Sequence, residues 1–153
     1  MRRRDAAVKR IIAIAFLAAA CATAPRGGGN LSIAITPNPI VAKQIKGTVF
    51  EFPFDVVVRE TGGAAVEINR VTADVFAFGS INVANETYDA ARIHAMGHPT
   101  TIPANGEIHL HFAERHEVPD ERLFHGVRAE LRIDAKDERG AAITATTSVG
   151  VTH

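Results

Sequence analysis

From Leu31 onward, apolar and polar residues alternate with a period of two, the pattern of strands that bury one face. Leu31, Ile33 and Ile35 form the first stripe, and Pro37-Asn38-Pro39 stops or kinks it, because proline offers no N–H to a ladder. Phe50, Phe52, Phe54, Val56 and Val58 form the second stripe, opposite Glu51, Asp55 and Arg59. Pro53 falls on the outward face of that strand, which implies an edge or a bulge. Thr61-Gly62-Gly63 turns the chain into a third strand, Val66 to Phe78. Val66 and Ile68 are in phase there, whereas Val71, Ala73 and Val75 are shifted by one, so a β-bulge is expected at Asn69-Arg70.

The stretch from Gly79 to Asn105 carries the weakest pattern; Ala91 to His94 reads as a short strand, and Asn85 to Met96 as a turn or two of helix at most. Pro103-Ala104-Asn105-Gly106 is a turn, and Ile108, Leu110 and Phe112 resume the alternation before a charged loop from Ala113 to Arg122. Val127, Ala129, Leu131, Ile133 and Ala135 then alternate without fault against charged residues. Asp137-Glu138-Arg139-Gly140 returns the chain into Ile143, Ala145, Thr147, Val149 and Val151, a hairpin. About seven strands and no convincing amphipathic helix predict an all-β chain, an antiparallel two-sheet sandwich, with closure into a barrel as the alternative. The proline-broken first strand and the closing hairpin resemble an immunoglobulin-like or fibronectin type III-like domain over Leu31 to His153. With no tryptophan and no cysteine pair, the chain lacks the antibody-type hallmarks.

The first thirty residues are different. Arg2, Arg3, Arg4, Lys9 and Arg10 precede an apolar run from Ile11 to Ala20, and Cys21, the only cysteine, follows it. Such a run rises about 15 Å as a helix, roughly half a bilayer core, so it reads as an export signal and not a permanent span. Ala18-Ala19-Ala20-Cys21 resembles the lipobox of bacterial lipoproteins, in which small residues precede a cysteine that is acylated and becomes the mature N-terminus. The match departs from the family at Ala18, where leucine is usual; Leu17 lies one place earlier. The alternatives are an ordinary secretory cut after Ala20 or Ala24 and an incidental thiol. The resemblance implies a signal over residues 1–20, lipid on Cys21, and a tether to Asn30 that holds the domain of residues 31–153 at the envelope. Ala22 after the cysteine, by likeness to lipoprotein sorting, implies the periplasmic face of the outer membrane.

Composition narrows the mature chain. The whole sequence is neutral, with 17 basic and 17 acidic side chains, but loss of the signal leaves 12 and 16 and a net charge of −4. No basic stripe for nucleic acid remains, and one cysteine cannot form an internal disulfide.

Histidine is the reactive type in surplus. His109 and His111 project from one face of a strand, about 7 Å apart, with Glu107 beside them. With His94 and His98 arriving from the preceding loop they would suit copper or zinc, Met96 tilting the choice to copper. The plainer reading is a solvated outer face. Asp134, Asp137 and Glu138 at the hairpin tip could ligate calcium, although turn chemistry accounts for them. No Gly-x-Ser-x-Gly, HExxH or phosphate-cradling loop occurs. The expectation is a non-catalytic, membrane-anchored module for protein interaction, with an envelope protein as partner and no cofactor beyond the lipid. A periplasmic metal-binding protein is the alternative.

Overall fold

The computed structural model describes residues 27–153. The signal segment, Cys21 and the first part of the tether lie outside the described residues. Ten strands and one short α-helix follow in the order β1 (Leu31–Thr36), β2 (Ile40–Val41), β3 (Lys43–Lys46), β4 (Val49–Glu60), β5 (Val66–Ala77), β6 (Ile81–Asp89), α1 (Ala90–Ala95), β7 (Thr101–Ile102), β8 (Glu107–Glu117), β9 (Val127–Asp137) and β10 (Ala142–Thr152). A 3-10 turn, Glu121–Phe124, precedes β9.

The strands form the two-sheet sandwich that the alternation predicts. In the first sheet β4 is central, flanked on one side by β8 and on the other by β1 and β3. The second runs β2-β10-β9-β5-β6, with β7 extending the β6 line along β5. The first strand serves one sheet and, after the proline break, its continuation serves the other, as in immunoglobulin-like sandwiches. Every pairing is antiparallel except β2 with β10, where Ile40 meets Val151 in parallel register. The core is built from the inward residues of both sheets, among them Val56, Val58, Leu110 and Phe112 facing Ile68, Val71, Leu131 and Ile133. The Asn69 bulge is present: β5 pairs Ile68 with Ala135 and Arg70 with Asp134, leaving Asn69 extra.

Two expectations need correction and one needs narrowing. The edge expected at Pro53 is local: β4 is the central strand of its sheet, and Pro53 pairs with Ala113 of β8 on one side. It is tolerated because β1 reaches β4 only as far as Asp55 and β3 only as far as Glu51, so the other side of Phe52–Phe54 has no partner strand. Ala91–His94 is not a strand but most of α1. The Asp89 carboxylate caps that helix by accepting the Arg92 N–H at 2.8 Å, and Gly97, at φ +84, ends it. The charged stretch after Phe112 is not a loop until Val118: β8 continues to Glu117, paired with Val49.

The chain enters the domain earlier than Leu31. The Gly29 N–H donates to Asp137 at 3.3 Å and the Asn30 N–H to Glu60 at 3.1 Å. A Cβ on Gly29 would stand 2.6 Å from Ile143 Cδ1 and 2.7 Å from Val66 Cγ2, so the glycine lets the segment lie flat on the sandwich. Gly29 and Asn30 therefore belong to the sandwich and not to the tether.

Candidate functional site

The four histidines are held by four different partners. His109 and His111 lie on the outer face of β8, opposite buried Ile108, Leu110 and Phe112. His109 Nε2 is 3.2 Å from Glu107, and His111 Nδ1 is 2.8 Å from Asp55 on β4. Glu107 also accepts from Arg59 at 2.6 Å, and this bond, with the one to His109, holds its carboxyl below the usual range. His98 turns to the β8 backbone, where its Nε2 accepts the His111 N–H at 3.2 Å. His94 Nε2 lies 3.0 Å from the hydroxyl of buried Thr100. Among the described residues, no three His, Cys, Asp or Glu side chains gather closely enough to hold a metal ion. At the hairpin tip Asp137 accepts the N–H groups of Arg139 and Ala141, each at 2.9 Å, which is turn chemistry.

Glu60, 1% exposed, is the main buried charge. Its carboxylate accepts four backbone N–H groups: Gly62 at 2.6 Å, Asn105 at 2.8 Å, Gly63 at 2.9 Å and Asn30 at 3.1 Å. Burial alone would raise its pKa, but the four donors outweigh that and hold the carboxyl below its ordinary value. The cluster ties the entry segment, the β4–β5 turn and the β7–β8 turn into one end of the sandwich. It is a structural knot, with no room for a substrate.

The opposite end is open. Between the two sheets lies a cavity of about 410 Å³, inside the range of small-molecule sites. Its floor is apolar and aromatic, with Phe52, Phe54, Ala73, Val75, Phe124 and Ala129. Its mouth lies between β6 and β8, where Val83 and Glu86 face Glu114 and His116. At the inner corner of the mouth Tyr88, 2% exposed, packs on Phe112 at 4.9 Å between ring centroids and donates its hydroxyl to Glu114 at 2.8 Å. Burial first, then the Glu114 carboxylate, push the Tyr88 pKa well up, so the phenol stays a donor. Arg92 of α1 covers the Tyr88 ring at 4.2 Å and reaches Glu86 at 3.2 Å and Glu114 at 3.3 Å. This clasp joins the edges of the two sheets; beyond it they part.

The outer edge of β6 has no partner strand among the described residues. Ile81 and Val83 stand exposed along it, at 57% and 51%, and Phe78, at 61%, stands exposed in the turn that leads into it. Val83 is an extra residue in the β5–β6 ladder, since Val75 pairs with Ala84 and Phe76 with Asn82. The outer edge of β10, from Ala142 to Gly150, is also unpaired, but its exposed side chains are Ala142, Thr144, Thr146 and Ser148.

Sequence reasoning missed the mouth and the β6 edge. One signal was available: Glu114 and His116 continue the inward phase of Ile108, Leu110 and Phe112, so polar groups occupy core positions there. That marks a place where the strand borders an opening and not packed core.

No family model matches the chain, and no characterised protein sequence matches it. Solved structures do. A structural-genomics target, SoR45, is 10% identical with a TM-score of 0.52 over 80% of this chain and 86% of that one. A putative ApaA protein from Bordetella pertussis is 12% identical with a TM-score of 0.53, over 83% and 98%. At these identities the likeness is one of fold.

Proposed function

We propose that the chain is a lipoprotein of the cell envelope, anchored through lipid on Cys21, whose β-sandwich works by contact as a non-catalytic protein-interaction module. The observation that carries this reading is the free apolar edge of β6. Monomeric sandwiches blunt their edges with charge, proline or cover, because an open row of N–H and C=O groups recruits other strands. Here Ile81 and Val83 are exposed along such an edge, with Phe78 exposed in the turn before it, and an extended segment of a partner adding to it would complete the ladder.

The placement of this edge fits an anchored domain. Five residues lie between Cys21 and Gly27, a reach of at most about 20 Å. Gly27–Asn30 lie at the Glu60 end, whereas Phe78 and Ile81 lie at the other end of β5 and β6. The docking edge therefore points away from the anchored end.

Site-specific photocrosslinking in cells tests the reading, with the crosslinker at Ile81 and, as control, at Thr146 on the polar β10 edge. A discrete protein adduct at Ile81 and not at Thr146 is expected. The same background at both positions would remove the main support.

A further inference from the structure

We infer that the cavity between β6 and β8 is a binding site for a single-chain amphiphile: a hydrocarbon tail inside, a positively charged head at the mouth. The tail end follows from the lining. Phe52, Phe54, Phe124, Ala73 and Ala129 offer no hydrogen-bonding side chains, and their cavity of about 410 Å³ is roughly as large as a modest ligand needs. These residues are half-buried and not sealed in the core, so a tail that covers them removes apolar surface from water.

The head end follows from charge and from unused acceptors at the mouth. Glu86, Glu114 and Glu117 all border it. Glu114 gives one oxygen to Tyr88 and Arg92, Glu86 one oxygen to Arg92, and Glu117 one oxygen to Thr48. Among the described residues, the second oxygen of each carboxylate has no hydrogen-bond partner. Three carboxylates face one guanidinium and the imidazole of His116, so the rim is net negative and repels a fatty-acid carboxylate. An ammonium head would meet the spare oxygens. Arg92, stacked on Tyr88 at 4.2 Å, shows one cation already held at the same opening.

The site meets the β6 edge at Val83 but not at Ile81: the tail contacts β4, β5 and β9, and edge variants at Ile81 leave the lining in place. A partner protein that used the cavity instead would insert an apolar side chain flanked by lysine or arginine.

The test is calorimetric titration of the full chain in lipid nanodiscs, with empty discs as the blank, using three ligands of one tail length: octyltrimethylammonium, octan-1-ol and octanoate. The cation is expected to bind saturably and about tenfold or more tighter than octanoate. Glu86→Gln with Glu114→Gln should bring the two together. Ala129→Phe, which fills the floor, should abolish binding of all three; Ala73→Leu serves the same purpose if Ala129→Phe fails to fold. Absence of saturable binding by the cation, unchanged binding in both filled variants, or a preference for octanoate would each overturn the assignment. So would capture at the cavity of a basic apolar peptide under conditions where no amphiphile binds. Crosslinking at Ile81, which does not line the cavity, reads the partner separately, so either result can fail without the other.

Discussion

The Glu60 carboxylate accepts the backbone N–H of Asn30 at 3.1 Å, thirty residues back along the chain, and by this bond the entry segment is fixed to the end of β4. The same carboxylate satisfies Gly62, Gly63 and Asn105. Glu60→Ala leaves four backbone donors without their acceptor in a buried setting, and the expected loss is about 3 kcal/mol. Urea denaturation followed by far-UV circular dichroism measures it; a loss below about 1 kcal/mol would mean that water or a neighbour takes over the donors.

Acid should weaken the fold through the same group. The folded pKa of Glu60 lies below its ordinary value of 4.5. The stabilisation it confers is therefore fully present above that value and is lost as pH falls through the folded pKa. Asp137, held down first by the Ala141 N–H, acts in the same direction at lower pH. The melting temperature should thus be level above pH 5 or so and fall progressively below about pH 4.5. Glu60→Gln should lie lower throughout and fall less steeply across that window. A parallel fall in wild type and variant would assign the acid sensitivity elsewhere.

Gly62 carries the entry segment across its back. A Cβ there would collide with the Gly28 carbonyl oxygen and stand 2.8 Å from the Asn30 nitrogen. Both are backbone atoms, so nothing can swing aside. Gly62→Ala should push Gly27–Asn30 off the sandwich at a cost of about 1–3 kcal/mol. Hydrogen exchange reads it directly: the Gly29 and Asn30 amides should lose protection while those of β9 keep theirs.

Much of this architecture was legible because burial is one-sided. The stripes of β4, β8, β9 and β10 follow the pleat, and even the Asn69 bulge shows as a slip between Ile68 and Val71. The proline break was legible as a stop, but not as a change of sheet, since nothing local states which sheet Ile40 joins. Pro53 was legible as an edge but not as a local one, because a proline reports a missing donor requirement, not the reason for it, which is the gap between β1 and β3. The second half of β8 and all of β6 were hidden by the site itself. Glu114, His116 and Glu86 occupy inward positions at the mouth of the cavity, and polar residues there erase the alternation on which strand recognition depends. The histidine pair was legible as a pair, while its separate partners, Glu107 and Asp55, depend on the β4–β8 register.

Tyr88 is the chain's only tyrosine and closes the inner corner of the mouth. Tyr88→Phe keeps the ring against Phe112 and the Arg92 stack, and removes only the hydroxyl bond to Glu114. The expected destabilisation is about 1 kcal/mol, because Arg92 and solvent still satisfy the carboxylate. A double-mutant cycle with Glu114→Gln isolates the bond; zero coupling energy would show that the clasp is packing alone.

The anchor makes a geometric prediction as well as a chemical one. If Cys21 bears lipid, metabolic labelling with a fatty acid should mark the wild type and not Cys21→Ser. The entry pinned at Gly29 then has seven residues between it and Cys21, a span of at most about 28 Å, shorter than the length of the domain. The β7–β8 turn should face the bilayer, and the β5–β6 turn should stand off by the length of β5, about 35 Å. Fluorophores placed by Ala104→Cys and by Phe78→Cys distinguish the two ends, since an acylated Cys21 no longer reacts with maleimide. Energy transfer to acceptors in the lipid headgroups should be strong from Ala104→Cys and weak from Phe78→Cys. Equal transfer from both would mean that Gly27–Asn30 detaches at the membrane, and the outward direction of the β6 edge would go with it.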